Sequence, residues 1–298
     1  MRRRRALAFC ALAVVMLLWS GNAIVGRAIR DDIPPLFLAL VRWAGALAVV
    51  LPFAARHIAR DRATLLASWR IVLLLGLTGV ATFNALIYTG LHYSTASNGM
   101  LLQAAIPPLV LVADRLIFGI RSRGMQIAGV AAAVLGVMVV VSQGELAGLL
   151  RLEIGRGDLL ILGGVFVWAL YTSLLRLRPD CHPSSFLAAT FAIAALAMMP
   201  LAAIELPQIA AMRWTPAVIG GCLYVALFPS VIAYFLYNMA VAEVGAASAG
   251  QAISLMPLFG ALLAAALLSE SLHGYHAVGM SLIAAGLALG WIGGRRAP

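Results

Sequence analysis

The sequence contains no lysine: all 21 basic residues are arginine, and only 11% of the 298 positions are charged. Soluble globular domains carry charge at about a quarter of their positions and are about half apolar. Here 63% of the residues are hydrophobic and the mean hydropathy is +1.00. That leaves too little polar surface to cover a water-soluble fold of this length, so a soluble protein is excluded. The net charge of +10 does not mark a nucleic-acid binder either. The arginines fall in short clusters between apolar runs, as cytoplasmic loops do, and no basic stripe is interleaved with aromatics.

Other absences narrow the chemistry. The three cysteines, Cys10, Cys181 and Cys222, show neither metal spacing nor pairing. No GxSxG, HExxH or pair of acids lies inside an apolar run, so the nucleophile and base that an intramembrane enzyme needs are missing. No cofactor or metal is called for. The eleven acids sit in loops or at the ends of apolar runs, including Asp114, Glu243 and Glu270. Ion-driven carriers usually hold a carboxylate at membrane depth. Its absence favours facilitated uniport, with a proton-coupled drug or metabolite efflux carrier as the alternative.

What is present is a series of apolar runs, each near the 20 or so residues needed to cross a bilayer. They fall near 7–27, 35–54, 70–90, 96–118, 123–142, 157–175, 184–204, 216–241, 247–269 and 274–294. The expected fold is an all-α polytopic membrane protein of ten spans with short loops. The N-terminal MRRRRALAFCALAVVMLLWSG resembles a signal peptide, but it continues to about Gly26 and reads as the first span. Ten spans put both termini on one side. That side collects Arg2 to Arg5, Arg56, Arg60, Arg62, Arg70, Arg115, Arg121, Arg123, Arg176, Arg178, Arg295 and Arg296. The other receives Arg27, Arg30, Arg151, Arg156 and Arg213. The bias predicts cytoplasmic termini in a bacterial inner membrane.

The runs repeat. Pro107 and Pro257 are related by an offset of 150, as are Ala96 and Ala246, Gly129 and Gly279, and Gly136 and Gly286. An offset of 149 relates Trp19 to Trp168 and the tripeptide FLA at 37–39 to that at 186–188. Two copies of five spans follow, at 1–145 and 146–298. Because five is odd, the second copy enters the membrane inverted, a build common among secondary transporters with a midplane site.

Polar groups in hydrocarbon mark the inside of a bundle. Trp19 and Asn22 are spaced i, i+3, as are their equivalents Trp168 and Tyr171. Asn84 and Tyr88 are spaced i, i+4, and offset 150 carries them to Tyr234 and Asn238, with Tyr237 adjacent. Span four adds Ser97, Asn98 and Gln103, and span nine adds Ser248, Gln251 and Ser254. Spans one, three, four, six, eight and nine should therefore line a cavity, while two, five, seven and ten face lipid. Any one of these residues could instead serve only interhelical packing. Trp43, Trp69, Trp214 and Trp291 read as interfacial anchors. Arg42, inside span two, could bind a substrate carboxylate, pair with carbonyls or snorkel to the interface. Pro107 and Pro257 should kink spans four and nine and are candidate hinges.

The block GLHYSTASNGMLLQAAIPPLVLVADRLIFG and its partner AVAEVGAASAGQAISLMPLFGALLAAALLSESL resemble the EamA repeat of the drug/metabolite transporter superfamily. The first copy departs from it, with Ile120 where the second has Glu270. The resemblance implies ten helices in two inverted repeats around a central cavity, and export or exchange of small metabolites. It also implies that Arg42 is structural. The aromatic-rich interior is most similar to amino-acid exporters of the YddG type. Substrate-binding candidates are Trp19, Asn22, Asn84, Tyr88, Gln103, Trp168, Tyr171, Tyr234, Tyr237, Asn238 and Gln251. The expected partners are the bilayer and a small neutral or zwitterionic solute such as an amino acid, with the protein acting as a monomer.

Overall fold

The structure, a computed structural model, describes residues 2–94, 99, 102–142, 144–145, 155–268 and 273–295. Within these residues the secondary structure is helical and no strand occurs. Eight helices are long and apolar enough to cross a membrane, and Gly274–Gly290 is a shorter apolar helix. Ser97, Asn98 and Glu270 lie outside the described residues.

The first helices are α1 (Arg2–Ala28) and α2 (Pro35–Ala67). Proline supplies the first turn of α2, where its missing N–H costs nothing, and Glu205 caps the same end by accepting from Leu36 N and Phe37 N. At 33 residues α2 is much longer than the expected 35–54 and carries Pro52 inside. Span three consists of α3 (Trp69–Leu75), a π-helical segment (Gly76–Thr82) and α4 (Phe83–Tyr93). Next come α5 (Ile106–Phe118), α6 (Gly124–Val141), α7 (Arg156–Leu174) and α8 (Pro183–Ala203). The expected loop at 205–215 contains a short helix, α9 (Leu206–Ala211). Span eight is α10 (Pro216–Ala226), a second π segment (Leu227–Ile232) and α11 (Ala233–Val244). Then follow α12 (Ala246–Ala252), α13 (Met256–Leu268) and α14 (Gly274–Arg295).

Pro107 and Pro257 do not kink continuous helices. The chain turns at Ala104–Ala105 and runs through a 3-10 turn at Ile253–Leu255, and each proline then sits in the first turn of a new helix. A proline there removes a donor that has no intrahelical partner anyway. The two breaks meet across a cavity of about 20 Å³ bordered by Gln103, Ala104, Ser254 and Pro257. The Oγ of Ser254, at 2% exposure, has no partner there.

Glycine decides the closest helix crossing. On Gly129, a Cβ would lie 2.6 Å from Gly286 O; on Gly136, 2.6 Å from Gly279 O. The pairing runs 129 with 286 and 136 with 279, so α6 and α14 cross antiparallel, backbone against backbone, as small residues permit in membranes. These are the glycines related by offset 150, and each touches the other's counterpart.

The lipid-facing expectation for span two fails along one whole face, where Leu38, Ala39, Arg42, Trp43, Ala46, Val50 and Ala54 are buried. Trp43 is fully buried, its ring 5.2 Å from Phe191 of α8 and 5.3 Å from Tyr234 of α11. It is part of the core rather than an anchor, because α2 lies against α8 and α11 there. Trp69 and Trp214 are exposed, as anchors would be.

Candidate functional site

Aromatic rings from three helices fill the middle of the bundle. Trp19 of α1 stands edge-on to Trp168 of α7 at 5.1 Å, and Tyr237 of α11 lies 5.2 Å from Trp19. Tyr171 and Tyr234 complete the cluster at 5.2 and 5.8 Å from Trp168. Edge-to-face pairs at these separations are favourable beyond their burial. Four of the five polar handles are bonded, while Trp168 Nε1 is buried without a partner. Trp19 Nε1 donates to Pro229 O at 3.0 Å and Tyr234 OH to Gly79 O at 2.7 Å. Tyr171 OH donates to Asn238 Oδ1 and Tyr237 OH pairs with Thr172 Oγ1, both at 2.9 Å. Asn238 Nδ2 is buried without a partner.

The two backbone acceptors explain the π segments. A π turn takes its carbonyls out of the regular i→i−4 ladder, and such bulges are frequent at functional sites. Gly79 lies in the first and Pro229 in the second, 150 residues apart. No expectation named either. The legible signal was Pro229, a proline inside an apolar run with its partner at the repeat offset.

A second cluster surrounds Arg42, at 3% exposure and seven residues into α2 from Pro35, about 10 Å along the axis at 1.5 Å per residue. Its Nε donates to Ser230 Oγ at 2.7 Å, Nη1 to Asn84 Oδ1 at 3.0 Å and to Tyr88 OH at 2.8 Å, and Nη2 to Pro229 O at 3.1 Å. Tyr88 OH in turn donates to Asn22 Oδ1 at 3.3 Å. Every one of these acceptors is neutral. Among the described residues no carboxylate lies within ion-pair distance of Arg42; the ion pairs present are Arg30–Asp31 and Arg176–Asp114. Glu205, which reaches α2, is engaged with the backbone at Leu36 and Phe37. Dipoles offset part of the several kcal/mol that desolvating an ion costs, but they leave a net charge.

Two candidates stand apart from both clusters. Gln103 bonds its own helix through Gly99 O at 3.2 Å and borders the small cavity at the breaks. Gln251 donates to Gly286 O at 2.7 Å and packs into the glycine crossing of α6 and α14. The remaining nine converge on the two clusters.

At the end of the bundle carrying the N-terminus, a cleft of about 460 Å³ opens beside Asn238, between α1, the start of α8 and α11. Its walls include Leu7, Phe186, Leu187 and Phe235, and its polar groups include Arg178 and Glu243. Nearby, buried Asp114 in the last turn of α5 pairs with Arg176 at 2.7 Å and accepts from Ser173 Oγ. At the opposite end Asp158, also buried, accepts from Ser94 Oγ.

The profile of the EamA-like transporter family matches residues 6–142 and 155–291. The chain belongs to the EamA-like transporter family. Among similar proteins, an uncharacterized transporter of Archaeoglobus fulgidus is 28% identical over 283 residues, covering 93% of this chain and 95% of its own. The uncharacterized transporter YyaM of Bacillus subtilis is 30% identical over 187 residues, a match spanning 62% of this chain and 61% of that protein. The uncharacterized inner membrane transporter YedA of Escherichia coli is 28% identical, covering 89% and 84%. A crystal structure at 19% identity superposes with a TM-score of 0.75 over 98% of both chains, which establishes a shared fold. This EamA-family chain is thus a multi-pass membrane transporter.

Proposed function

We propose that the protein exports small neutral or zwitterionic amino acids, aromatic ones included, across the bacterial inner membrane by facilitated alternating access. The observation that carries this reading is the convergence of Trp19, Trp168, Tyr171, Tyr234 and Tyr237 beside Asn22, Asn84, Tyr88 and Asn238. Rings can stack on an apolar side chain and attract an ammonium group. Amides and hydroxyls can bond its polar end. The reading takes the chain as two inverted repeats, 1–145 and 146–298, supported by the reciprocal glycine contacts and by the paired π segments. Interchange of the two halves' conformations is then the transport step, with the helix breaks at Pro107 and Pro257 as hinges. Cytoplasmic termini, supported by the arginine bias, make the cleft near Asn238 the cytosolic vestibule. Monomers suffice, since both halves lie in one chain.

Asp114 favours a second reading. It is a buried carboxylate near the vestibule, the kind of group that an ion-coupled carrier holds inside its bundle. Uptake of labelled threonine, methionine and phenylalanine into proteoliposomes without any ion gradient separates the two. Saturable uptake, competed by unlabelled amino acid, is expected for the facilitative carrier. Uptake that needs a pH gradient and vanishes with an uncoupler would overturn uniport, and its failure for all three substrates would overturn the amino-acid assignment.

A further inference from the structure

We infer that the Arg42 guanidinium is the docking point for the carboxylate of the transported solute, an inference that deepens the amino-acid reading and rests on it for the rest of the substrate. An intramembrane ionisable residue is by default a functional group whose partner has to be found. For Arg42 the described protein supplies only neutral partners: two side-chain hydroxyls, an amide oxygen, a carbonyl and the face of the Trp43 ring at 4.6 Å. A structural arginine buried for good would be expected to face an acid, as Arg176 faces Asp114 at 2.7 Å.

The partners themselves point to a removable arrangement. Ser230 Oγ already bonds Val225 O at 2.7 Å and Asn84 Nδ2 bonds Val80 O at 2.9 Å, so both are fixed to their own helices. Tyr88 is different. It is half-buried, and its hydroxyl is held from the other side by Asn22, also half-buried. Turning the Tyr88 ring aside uncovers Nη1 toward Asn22 without disturbing the other three bonds. A carboxylate entering there gains a charge-assisted bond that the phenol cannot match. It also neutralises the buried charge. Asn22 and Tyr88 then remain free to bond the same ligand.

The offset of 149 places Phe191, an apolar residue, opposite Arg42 in the second half. The charge is therefore one-sided, and the substrate's anionic end has a defined direction in the path, toward α2 and away from the cleft at Asn238.

The test is binding of a matched ligand set to detergent-solubilised full-length protein, read by thermal stabilisation and by the change in tryptophan fluorescence. The set is leucine, leucinamide without the carboxylate, and 4-methylpentanoate without the ammonium. Wild type is expected to bind leucine and 4-methylpentanoate at least about tenfold more tightly than leucinamide, as one charged bond is worth. Arg42→Gln should erase that preference and leave leucine and leucinamide alike. Arg42→Lys, which keeps the charge but loses the fork, should retain it in weakened form and serves if Arg42→Gln does not fold. Equal binding of leucine and leucinamide by wild type would overturn the inference. So would an undiminished preference in either variant, or no binding of any carboxylate. Leucine uptake with unchanged KM in Arg42→Gln would refute the inference while the amino-acid reading stood. Binding of 4-methylpentanoate through Arg42 without binding of leucine would do the reverse.

Discussion

Replacing Gly286 by alanine should open the α6–α14 crossing and destabilise the protein by an amount set by geometry. A Cβ on Gly286 lies 2.5 Å from Gly129 O and 2.7 Å from Ala133 N, where ordinary contact begins at 3.4 Å. Neither neighbour is the flexible end of a side chain, so the backbones must part by roughly 0.9 Å. Overpacking of this kind costs about 1–3 kcal/mol, and the gain in helix propensity of about 1 kcal/mol offsets part of it. Separation also stretches the Gln251 Nε2 bond to Gly286 O, at 2.7 Å, a loss of about 1 kcal/mol. The net expectation is a loss of about 1–3 kcal/mol. Gly129→Ala, which meets Gly286 O at 2.6 Å, should cost a similar amount. The double variant should cost less than the sum, because one displacement relieves both clashes. Gly260→Ala, with nothing within 4 Å, is the control and should be neutral or slightly stabilising. Unfolding followed by circular dichroism against added dodecyl sulfate gives all four values. A Gly286→Ala protein as stable as wild type, or strict additivity in the double variant, would refute the reasoning.

Three further outcomes are expected. Tyr234→Phe leaves Gly79 O without its 2.7 Å donor, so the melting point should fall by the equivalent of about 1–3 kcal/mol; an unchanged melt would show that the carbonyl finds another partner. Glu205→Gln removes the negative charge facing the first N–H groups of α2 and should cost about 0.3–1 kcal/mol, reduced by high salt, in salt-dependent melts. Cys181, in the loop before α8, has its thiol raised above the ordinary range, first by burial and then by Asp61. Its maleimide labelling should therefore be slow at neutral pH and accelerate with alkalinity later than for a free thiol, measured by mass spectrometry; fast labelling at neutral pH would contradict the burial.

Much of the site was legible because two different periodicities agreed. Helical spacing put Trp19 with Asn22 and Asn84 with Tyr88, and the repeat offset then matched them to Trp168, Tyr171, Tyr234 and Asn238. Side chains that hydrocarbon would penalise have few places to go, so nine of the candidates converge. Gln103 and Gln251 escaped the logic because an amide can also be satisfied by a backbone carbonyl on its own or a neighbouring helix. Trp43 was misread for a related reason: a tryptophan near a helix start looks the same whether water or another helix covers it, and α8 and α11 cover it here.

The sequence by itself determined the membrane environment, the helical class and most of the polar inventory, because these follow from transfer of residues out of water and from local spacing. Only the tertiary structure decided what the inventory does. It showed that the prolines begin new helices, that π turns release the carbonyls of Gly79 and Pro229, and that Arg42 meets four neutral acceptors, two from α4 and two from the second π segment. None of this is local. A backbone carbonyl has no letter of its own, and whether a buried charge is balanced depends on which helices, far apart in the chain, are packed around it.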